Sequence, residues 1–250
     1  MTDLHPDTVD TGTVDTCDVD VTDEQVAFFR RHGYLVIDRI TTDLEVARLR
    51  AIFDELFAPS SRSYFDVMRP AGAEGPPLFP QTIMPELHHA ELRDTTYVRN
   101  GRRIAAKLLD IPEAETTYWG HMLDKPPRHS YEAPWHQDEA YWDTSLSYHA
   151  VGAWMPLDDT DIDNGCLWFL PGSHLGPLLP HRHLHGDESI HGLELVDPID
   201  TFDAVPVPLR AGGASFHHPR TLHHSRPNRT DRRRRAYANE FQTLPVPRGS

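Results

Sequence analysis

The chain has 250 residues, a formal net charge of −14 and a mean hydropathy of −0.53. This length suits one large domain, and the acidic balance argues against a nucleic-acid partner. No apolar run approaches the ~18 residues that a membrane helix needs, and the start of the chain lacks the features of a secretory signal. Two cysteines, Cys17 and Cys166, are too few for a disulfide framework. We therefore expect a protein of the reducing cytoplasm, without a membrane or nucleic-acid partner.

The first part of the chain predicts a tail, a short helix and a strand. Residues 1–21 alternate Asp, Thr and Val with almost no bulky apolar side chains, which predicts a disordered acidic tail. Thr22 and Gln25 form a capping-box pattern, and Gly33 offers a C-terminal stop, so we expect a helix between them. Residues 34–37, Tyr-Leu-Val-Ile, are typical of a strand.

Two more helices are predicted on either side of an irregular region. Thr42 with Glu45 forms a second capping-box pattern and predicts a helix that ends near Phe57. Residues 58–94 are rich in Pro, Gly and Ser, which predicts a loop with little regular structure. A third helix is expected over residues 95–109.

The second half of the chain consists of short aromatic and β-branched segments that are separated by turn residues. The candidate strands are 115–123, 131–138, 149–156, 166–170, 204–209, 214–218, 220–225 and 233–242. Helices followed by such strands predict a mainly β fold with some α structure: a double-stranded β-helix (a cupin-like jelly roll) buttressed by N-terminal helices. Residues 243–250 form a C-terminal tail that ends in Val-Pro-Arg-Gly-Ser, which resembles a protease-site scar of recombinant expression.

One strand segment carries a pattern that suits a metal ion. Residues two apart on a strand share a face, so His136 and Asp138 project together and Gln137 faces the other way. Two imidazoles and one carboxylate can hold one face of Fe(II) and leave three positions for a 2-oxo acid and O2. The second imidazole must come from a distant strand. The available histidines are His217, His218, His223 and His224.

A run of four arginines, residues 232–235, opens the last candidate strand. One interpretation is a basic surface patch. The alternative uses strand alternation, which places Arg234 on one face with Ala236 and Ala238, and Arg235 on the other with Tyr237. Small neighbours would leave room beside Arg234 for a carboxylate, which a guanidinium can grip with two hydrogen bonds. An unpaired buried guanidinium is costly, which favours a bound anion at this position.

With these motifs taken together, the chain resembles the phytanoyl-CoA dioxygenase family of Fe(II)/2-oxoglutarate oxygenases from about residue 22 to 242. The resemblance is carried, in this order, by Lys-Pro-Pro at 125–127, Pro-Trp-His-Gln-Asp-Glu at 134–139, Asp-Asn-Gly-Cys-Leu at 163–167, Leu-Pro-Gly-Ser-His at 170–174, and the 223–231 segment that runs into Arg234. It implies a single catalytic domain over residues 22–242 that uses Fe(II), 2-oxoglutarate and O2.

The resemblance also implies roles for particular residues. His223 would be the distal iron ligand, completing a set with His136 and Asp138. Arg234 and Ser225 would bind the distal carboxylate of 2-oxoglutarate. The remaining side chains expected near that cosubstrate are His121 and Trp154. The presence of Asp138 argues against halogenation, because related halogenases carry a small residue there, and favours hydroxylation.

The substrate is expected to be a small molecule. Gln137, Tyr141 and Trp142 flank the first ligands and are candidates for substrate contact, although packing explains the aromatic pair equally well and an outer-face position explains Gln137. Acidic residues in a candidate lid, such as Asp187 and Glu194, favour a polar or cationic compound, for example one resembling an amino sugar. Desaturation, epoxidation, oxidative ring closure and a non-catalytic ligand-binding jelly roll remain as alternatives.

Overall fold

The computed structural model describes residues 17–61, 63–70 and 72–249. Within them, the three predicted helices are present as α1 (Asp23–His32), α2 (Asp43–Leu56) and α3 (Thr96–Leu109). The Thr22 side chain accepts a hydrogen bond from the Gln25 backbone N–H, and Gly33 ends α1 with φ 78°, a left-handed conformation that glycine adopts at low cost. The local signals in the sequence therefore set the ends of α1 as predicted.

Strands occupy most of the remaining structure. They are β1 (Tyr34–Ile37), β2 (Phe65–Asp66), β3 (Pro80–Ile83), β4 (Thr117–Lys125), β5 (Ala133–His136), β6 (Leu146–Ser147), β7 (Ala150–Pro156), β8 (Leu167–Phe169), β9 (His181–His183), β10 (Leu193–Leu195), β11 (Val205–Val207), β12 (Ala214–His217), β13 (His223–Ser225), β14 (Arg234–Gln242) and β15 (Val246–Pro247). Short 3-10 helices lie at Pro85–Leu87, Ala90–Asp94, Glu113–Glu115, Asp138–Tyr141, Ser173–Leu175 and Leu184–Gly186. Each of the eight candidate strands is confirmed, with its ends shifted by three residues or fewer.

Two antiparallel sheets form the jelly roll that the sequence predicted. The major sheet has the order β1-β12-β7-β14-β4-β3-β2, and the minor sheet has the order β11-β8-β13-β5. Side chains of the major sheet point alternately toward the helices and toward the minor sheet, because strand residues alternate between faces. Tyr237 and Phe241 pack with the helices, whereas Ala236 and Ala238 pack between the sheets. The space between the sheets is where the functional side chains meet.

The 58–94 region is more ordered than the sequence predicted. Its strands β2 and β3 extend the major sheet beyond β4, with Gln81 paired to Leu123. Pro80 is compatible with this arrangement because it is the first residue of β3, where a missing backbone N–H costs little. The prediction of little regular structure was therefore wrong for these two strands, which complete one wall of the cavity between the sheets.

Both ends of the chain differ from expectation as well. Residues 1–16 of the predicted disordered tail lie outside the described residues, but the prediction was wrong for residues 17–21. There Val21 is 5% exposed, and the Asn100 side chain donates a hydrogen bond to the Cys17 carbonyl oxygen over 2.8 Å. In the C-terminal tail, β15 pairs with β6. None of the described helices is both long and apolar enough to cross a membrane.

Candidate active site

The His-Gln-Asp motif lies at the junction of a strand and a tight turn. His136 is the last residue of β5, and Asp138 begins a 3-10 turn. Gln137 between them keeps extended angles, φ −121° and ψ 130°, so the alternation that places His136 and Asp138 on one side continues past the end of the strand. His223, the first residue of β13, is paired directly with His136 across the minor sheet. Three residues that are distant in sequence thereby face one point.

The three side chains present their donor atoms to one another at metal-binding spacing. One donor atom from each of His136, Asp138 and His223 lies within 4.8 Å of the other two. Both imidazole Nε2 atoms are 3.6 Å from Oδ1 of Asp138. Among the residues that the structure describes, no other group of three or more His, Cys, Asp or Glu side chains has donor atoms close enough to share an ion. The sequence had left four distal histidines open, and His223 is the one whose donor atom lies close to those of both His136 and Asp138.

Backbone carbonyls orient both imidazoles toward the shared point. Nδ1 of His136 lies 2.7 Å from the Pro134 carbonyl oxygen, and Nδ1 of His223 lies 3.0 Å from that of Thr221. A carbonyl oxygen only accepts hydrogen bonds, so each Nδ1 carries the proton and each Nε2 keeps its lone pair. Outer partners of this kind fix the tautomer that a metal ion requires.

The protonation states also suit a metal ion. Burial lowers the pKa of His223 to about 3, so its imidazole is neutral near pH 7. Burial opposes ionisation of Asp138, but the facing imidazoles outweigh it and hold the pKa of that carboxyl well below its usual range. Neutral imidazole and ionised carboxylate are the forms that coordinate a metal ion. This donor set, with no thiolate in it, fits Fe(II).

Arg234 lies at another part of the same cavity and lacks a protein partner. Its side chain is 1% exposed, and Nε and Nη1 are buried without a hydrogen-bond partner. Burial lowers the pKa of its guanidinium to about 10, which still leaves it charged at neutral pH. Two unsatisfied buried donors on a cation are costly unless an anion binds there. Arg234 therefore fits the distal carboxylate of 2-oxoglutarate.

The other three arginines of the run, unlike Arg234, each have a carboxylate partner. Arg232 pairs with Asp161, Arg233 with Asp124, and Arg235 with Asp158. In the described part of the chain, Arg234 makes no such ion pair. Alternation on β14 turns Arg234 inward while its two neighbours meet carboxylates elsewhere. The interpretation of the run as only a surface patch does not hold for this residue.

The other residues expected near 2-oxoglutarate line the cavity with Arg234. The Trp154 ring lies 5.4 Å from the Arg234 guanidinium carbon, and Trp154 is paired with Ala238 of β14. His121 is paired with the same alanine from the other side, and burial lowers the pKa of its imidazole to about 4. Ser225 is 1% exposed at the end of β13 and belongs to the same lining.

Of the three candidate substrate residues, the structure brings two to the cavity. Tyr141 and Trp142 line it, and the Tyr141 ring stands edge-on to His136 at 5.9 Å. Gln137 does not line it, so its prediction as a substrate contact was wrong. Its side chain donates to the carbonyl oxygens of Pro177 and Arg220, and it accepts from the backbone N–H at 179. These bonds use its amide to hold the 177–179 segment.

The acidic residues predicted for a lid do not face the cavity. Glu194 pairs with Arg182, and Asp187 accepts hydrogen bonds from Ser189. The lining instead contains a carboxyl group that the sequence reasoning missed, that of Glu240. It is 7% exposed, its Oε1 has no partner among the described residues, and burial, with the nearby Asp138, raises its pKa well above the usual value. Continuing the alternation from Arg234 would have placed Glu240 inward.

His217, like Glu240, has a position in the site that the sequence did not predict. It was considered only as a ligand, but its Nε2 lies 2.8 Å from Oδ2 of Asp138, whereas the Nε2 atoms of His136 and His223 approach Oδ1. The remaining candidate histidines, His218 and His224, are not part of the donor group, although His224 is among the residues that line the cavity. His218 packs near His174, and the His224 ring stacks on Trp135.

Comparisons with known proteins find similar structures that bind 2-oxoglutarate. EvdO2 from Micromonospora carbonacea var. aurantiaca, in a crystal structure with 2-oxoglutarate, is 39% identical; the match covers 92% of this chain and 94% of EvdO2 with a TM-score of 0.82. The α-ketoglutarate-dependent carbocyclase SnoK from nogalamycin biosynthesis is 25% identical over 91% of this chain and 87% of SnoK (TM-score 0.72). The epimerase SnoN, in complex with Fe3+, α-ketoglutarate and nogalamycin RO, is 25% identical over 90% and 85% (TM-score 0.69).

These matches and the fold define an Fe/2-oxoglutarate-dependent dioxygenase, with iron and 2-oxoglutarate as its cofactor and cosubstrate. The model of the family described as Phytanoyl-CoA dioxygenase (PhyH) matches residues 29–236. The chain belongs to this family, as its motifs predicted.

Removal of any one donor should abolish tight metal binding. His136→Ala, Asp138→Ala and His223→Ala should each weaken Fe(II) affinity by more than about 100-fold, since even residues that only orient ligands contribute 10- to 100-fold. Anaerobic titration calorimetry measures the affinity. His224→Ala, which changes the neighbouring histidine, is the control and should bind Fe(II) as the unmodified protein does. Full affinity in any of the three variants would contradict the assignment.

Substitution of Arg234 should act on the cosubstrate alone. Arg234→Ala should raise the KM for 2-oxoglutarate about 10- to 100-fold, the loss expected for a charged hydrogen-bonded pair, and leave Fe(II) affinity unchanged. Arg234→Lys keeps the charge but not the two-pronged geometry, so its KM for 2-oxoglutarate should lie between those of the unmodified protein and of Arg234→Ala. Arg232→Ala is the control, because that side chain pairs with Asp161 at the surface. An unaltered KM in Arg234→Ala would show that the acid binds elsewhere.

Proposed function

We propose that this protein oxidises an unactivated C–H bond of a polar small molecule, with His136, Asp138 and His223 as iron ligands and Arg234 as the 2-oxoglutarate clamp. The observation that carries the proposal is the convergence of those three donors beside a buried, unpaired guanidinium. The same residues support one catalytic domain over residues 22–242. A reducing cytoplasm suits both Fe(II) and the unpaired, buried Cys166 thiol.

The protein's own residues perform the binding and positioning. Arg234, with Ser225, holds the distal carboxylate of 2-oxoglutarate, and the neutral His121 and the Trp154 ring enclose it. Nδ1–H of His136 and Nδ1–H of His223 each donate to a backbone carbonyl oxygen, which orients Nε2 of both imidazoles toward the iron position. When bound, iron and 2-oxoglutarate supply O2 activation and hydrogen abstraction, with release of succinate and CO2. The surrounding wall selects the C–H that is attacked.

The shape of the cavity supports a substrate that combines apolar faces with polar groups. The cavity measures about 390 Å³, within the range of small-molecule sites. Its wall includes several aromatic side chains besides the residues expected near iron and 2-oxoglutarate: Phe65, Trp119, Tyr141 and Trp142. Such rings pack well against ring C–H faces. A polar ring compound with hydroxyl or amino groups matches these walls and Glu240, the lining acid that is not a candidate iron ligand.

The spacing along β14 supports a separate place for the substrate. Arg234 and Glu240 are six residues apart on one face of this strand, so their Cα atoms are separated by roughly 20 Å. The five-carbon chain of 2-oxoglutarate spans only about 5 Å from standard bond lengths. A cosubstrate anchored on Arg234 therefore does not reach Glu240. That end of the cavity is left for the substrate, and its polar group is the natural partner of the unsatisfied Glu240 oxygen.

Oxidative ring closure is the second candidate reaction. It is favoured by the structural similarity to the carbocyclase SnoK at a TM-score of 0.72. Both reactions start from hydrogen abstraction at the same iron face and differ afterwards. Hydroxylation adds one oxygen atom to the substrate, whereas ring closure removes two hydrogen atoms and adds none.

A substrate screen tests the function and separates the two reactions. Protein with Fe(II), 2-oxoglutarate and O2 is offered glycosides, amino sugars, amino acids and acyl-CoA thioesters, and succinate is measured. We expect polar ring compounds to stimulate succinate formation, and product mass to distinguish a gain of oxygen from a loss of two hydrogens. Stimulation by acyl-CoA thioesters alone would contradict the polar-substrate proposal. Absence of any succinate from the iron-loaded protein, with or without these compounds, would contradict oxygenase activity.

Variants at Glu240 define the polar group of the active compound. Glu240→Leu removes all hydrogen bonding and should raise the KM for that compound about tenfold, the scale of one unsatisfied buried polar group. Glu240→Gln should retain binding of a hydroxyl group but lose binding of an ammonium group. The KM for 2-oxoglutarate should stay the same in both variants, which provides the internal control. An unchanged substrate KM in Glu240→Leu would exclude this contact.

A further inference from the structure

The two oxygens of the Asp138 carboxylate have different surroundings. Oδ1 faces the Nε2 atoms of His136 and His223, each at 3.6 Å. Oδ2 is 2.8 Å from Nε2 of His217, a residue of β12 that belongs to neither of the ligand strands. The carboxylate is thus shared between the candidate iron ligands on one side and a third imidazole on the other.

The third imidazole has the opposite tautomer from the other two. An ionised carboxylate only accepts hydrogen bonds, so Nε2 of His217 carries the proton and donates it to Oδ2. Its Nδ1 is buried without a partner among the described residues, as fits a nitrogen that bears no proton. In His136 and His223 the carbonyls of Pro134 and Thr221 hold the proton on Nδ1. His217 is therefore built as a donor to the carboxylate and not as a metal ligand.

Packing holds His217 in this position. Its side chain is 7% exposed, and its ring lies 5.4 Å from that of Phe169 and 4.7 Å from that of His223. The paired residue on β7 is Gly152. A β-carbon at Gly152 would lie only 2.8 Å from Nε2 of His217, so the absence of a side chain there is what lets the imidazole reach across β7.

We propose that His217 is a positioning residue that keeps Asp138 bound to iron through Oδ1 alone. The proposal rests on the assignment of Asp138 as an iron ligand. A carboxylate free of other partners can bind a metal through both oxygens. The hydrogen bond from His217 occupies Oδ2 and stabilises the arrangement in which only Oδ1 faces the ion.

The number of Asp138 oxygens that bind iron determines whether a coordination position remains for O2. Two imidazoles and one carboxylate oxygen use three of six positions and leave two for 2-oxoglutarate and one for O2. If both Asp138 oxygens bound the ion, only two positions would remain. The cosubstrate would fill them and none would be left for O2. Loss of the His217 hydrogen bond should therefore slow the reaction of the Fe(II)–2-oxoglutarate complex with O2 more than it weakens Fe(II) binding.

The test compares His217→Phe with His217→Gln. Phenylalanine fills similar space without a donor, whereas the glutamine amide places an N–H near the position of Nε2. We measure Fe(II) affinity by anaerobic calorimetry, and the visible absorption of the Fe(II)–2-oxoglutarate complex before and after mixing with O2. In His217→Phe, the decay of that absorption with O2 should slow by about 10- to 100-fold, the usual effect of a partner that orients a metal ligand. Fe(II) affinity should change much less, and His217→Gln should restore most of the rate.

His174→Phe is the matched control, because His174 contacts the Arg30 carbonyl and does not line the cavity. Its decay rate should equal that of the unmodified protein. A normal rate in His217→Phe would overturn the proposal. So would equally slow reaction in His217→Gln, or a loss of Fe(II) affinity and melting temperature in both variants, since these results indicate a structural part only. If the unmodified protein formed no absorbing complex with Fe(II) and 2-oxoglutarate, the proposed ligands themselves would be wrong.

Discussion

The site depends on the Asp138 carboxylate, which three imidazoles approach from positions fixed by the fold. Two of them turn lone pairs toward it, and His217 donates a proton to it. The Nε2 atoms of His136 and His223 and Oδ1 of Asp138 converge without a protein donor between them, and a cation at the shared point would pair with all three atoms. The hydrogen bonds of the three histidines therefore favour a metal ion at this point. They keep the proton of His136 and of His223 on Nδ1, and that of His217 on Nε2.

Strand pairing transmits this geometry to the rest of the cavity. The ligand pair is fixed by the register of the minor sheet, where His136 lies opposite His223. The cosubstrate end is fixed by the major sheet, where β14 lies between β4 and β7. A shift of β14 by one residue would turn Arg234 outward and bring Arg235 into the cavity. Arg235 is held by Asp158, through both its backbone N–H and its side chain, and this pairing secures the register.

Sequence reasoning succeeded where a local rule decides the outcome. Capping patterns set the ends of α1, and strand alternation separated Arg234 from Arg235 and His136 from Gln137. The same rule was not carried far enough along β14 to find Glu240. The prediction of a loop from composition failed for β2 and β3. Pro, Gly and Ser indicate turns, but they do not reveal that a neighbouring strand, β4, is available for pairing.

Residues whose function depends on distant partners could not be assigned from the chain alone. His217 and His223 are histidines on candidate strands, and only the spatial order of β5, β12 and β13 decides which is a ligand and which a donor to Asp138. Gln137 was misassigned for the same reason. Its neighbours in sequence are iron-ligand candidates, but its hydrogen-bond partners lie 40 or more residues away. The Cys17–Val21 segment was likewise read as a tail because its partner, Asn100, is on α3.

The fold and the candidate iron ligands leave the reaction outcome to the other residues of the cavity wall. A carbocyclase and an epimerase share this fold at 25% identity, so the same scaffold accommodates products that do not gain a hydroxyl group. The placement of the substrate in the cavity would decide which of these products forms. In this protein that placement falls to Glu240 and the aromatic wall around Trp119 and Trp142, because the ligand histidines and Arg234 contact only iron and cosubstrate in the proposed arrangement. In the proposed arrangement, product specificity therefore depends on side chains that share elements with the iron-binding and cosubstrate-binding residues, such as Glu240 on β14 with Arg234 and Trp119 on β4 with His121, but that bind neither group.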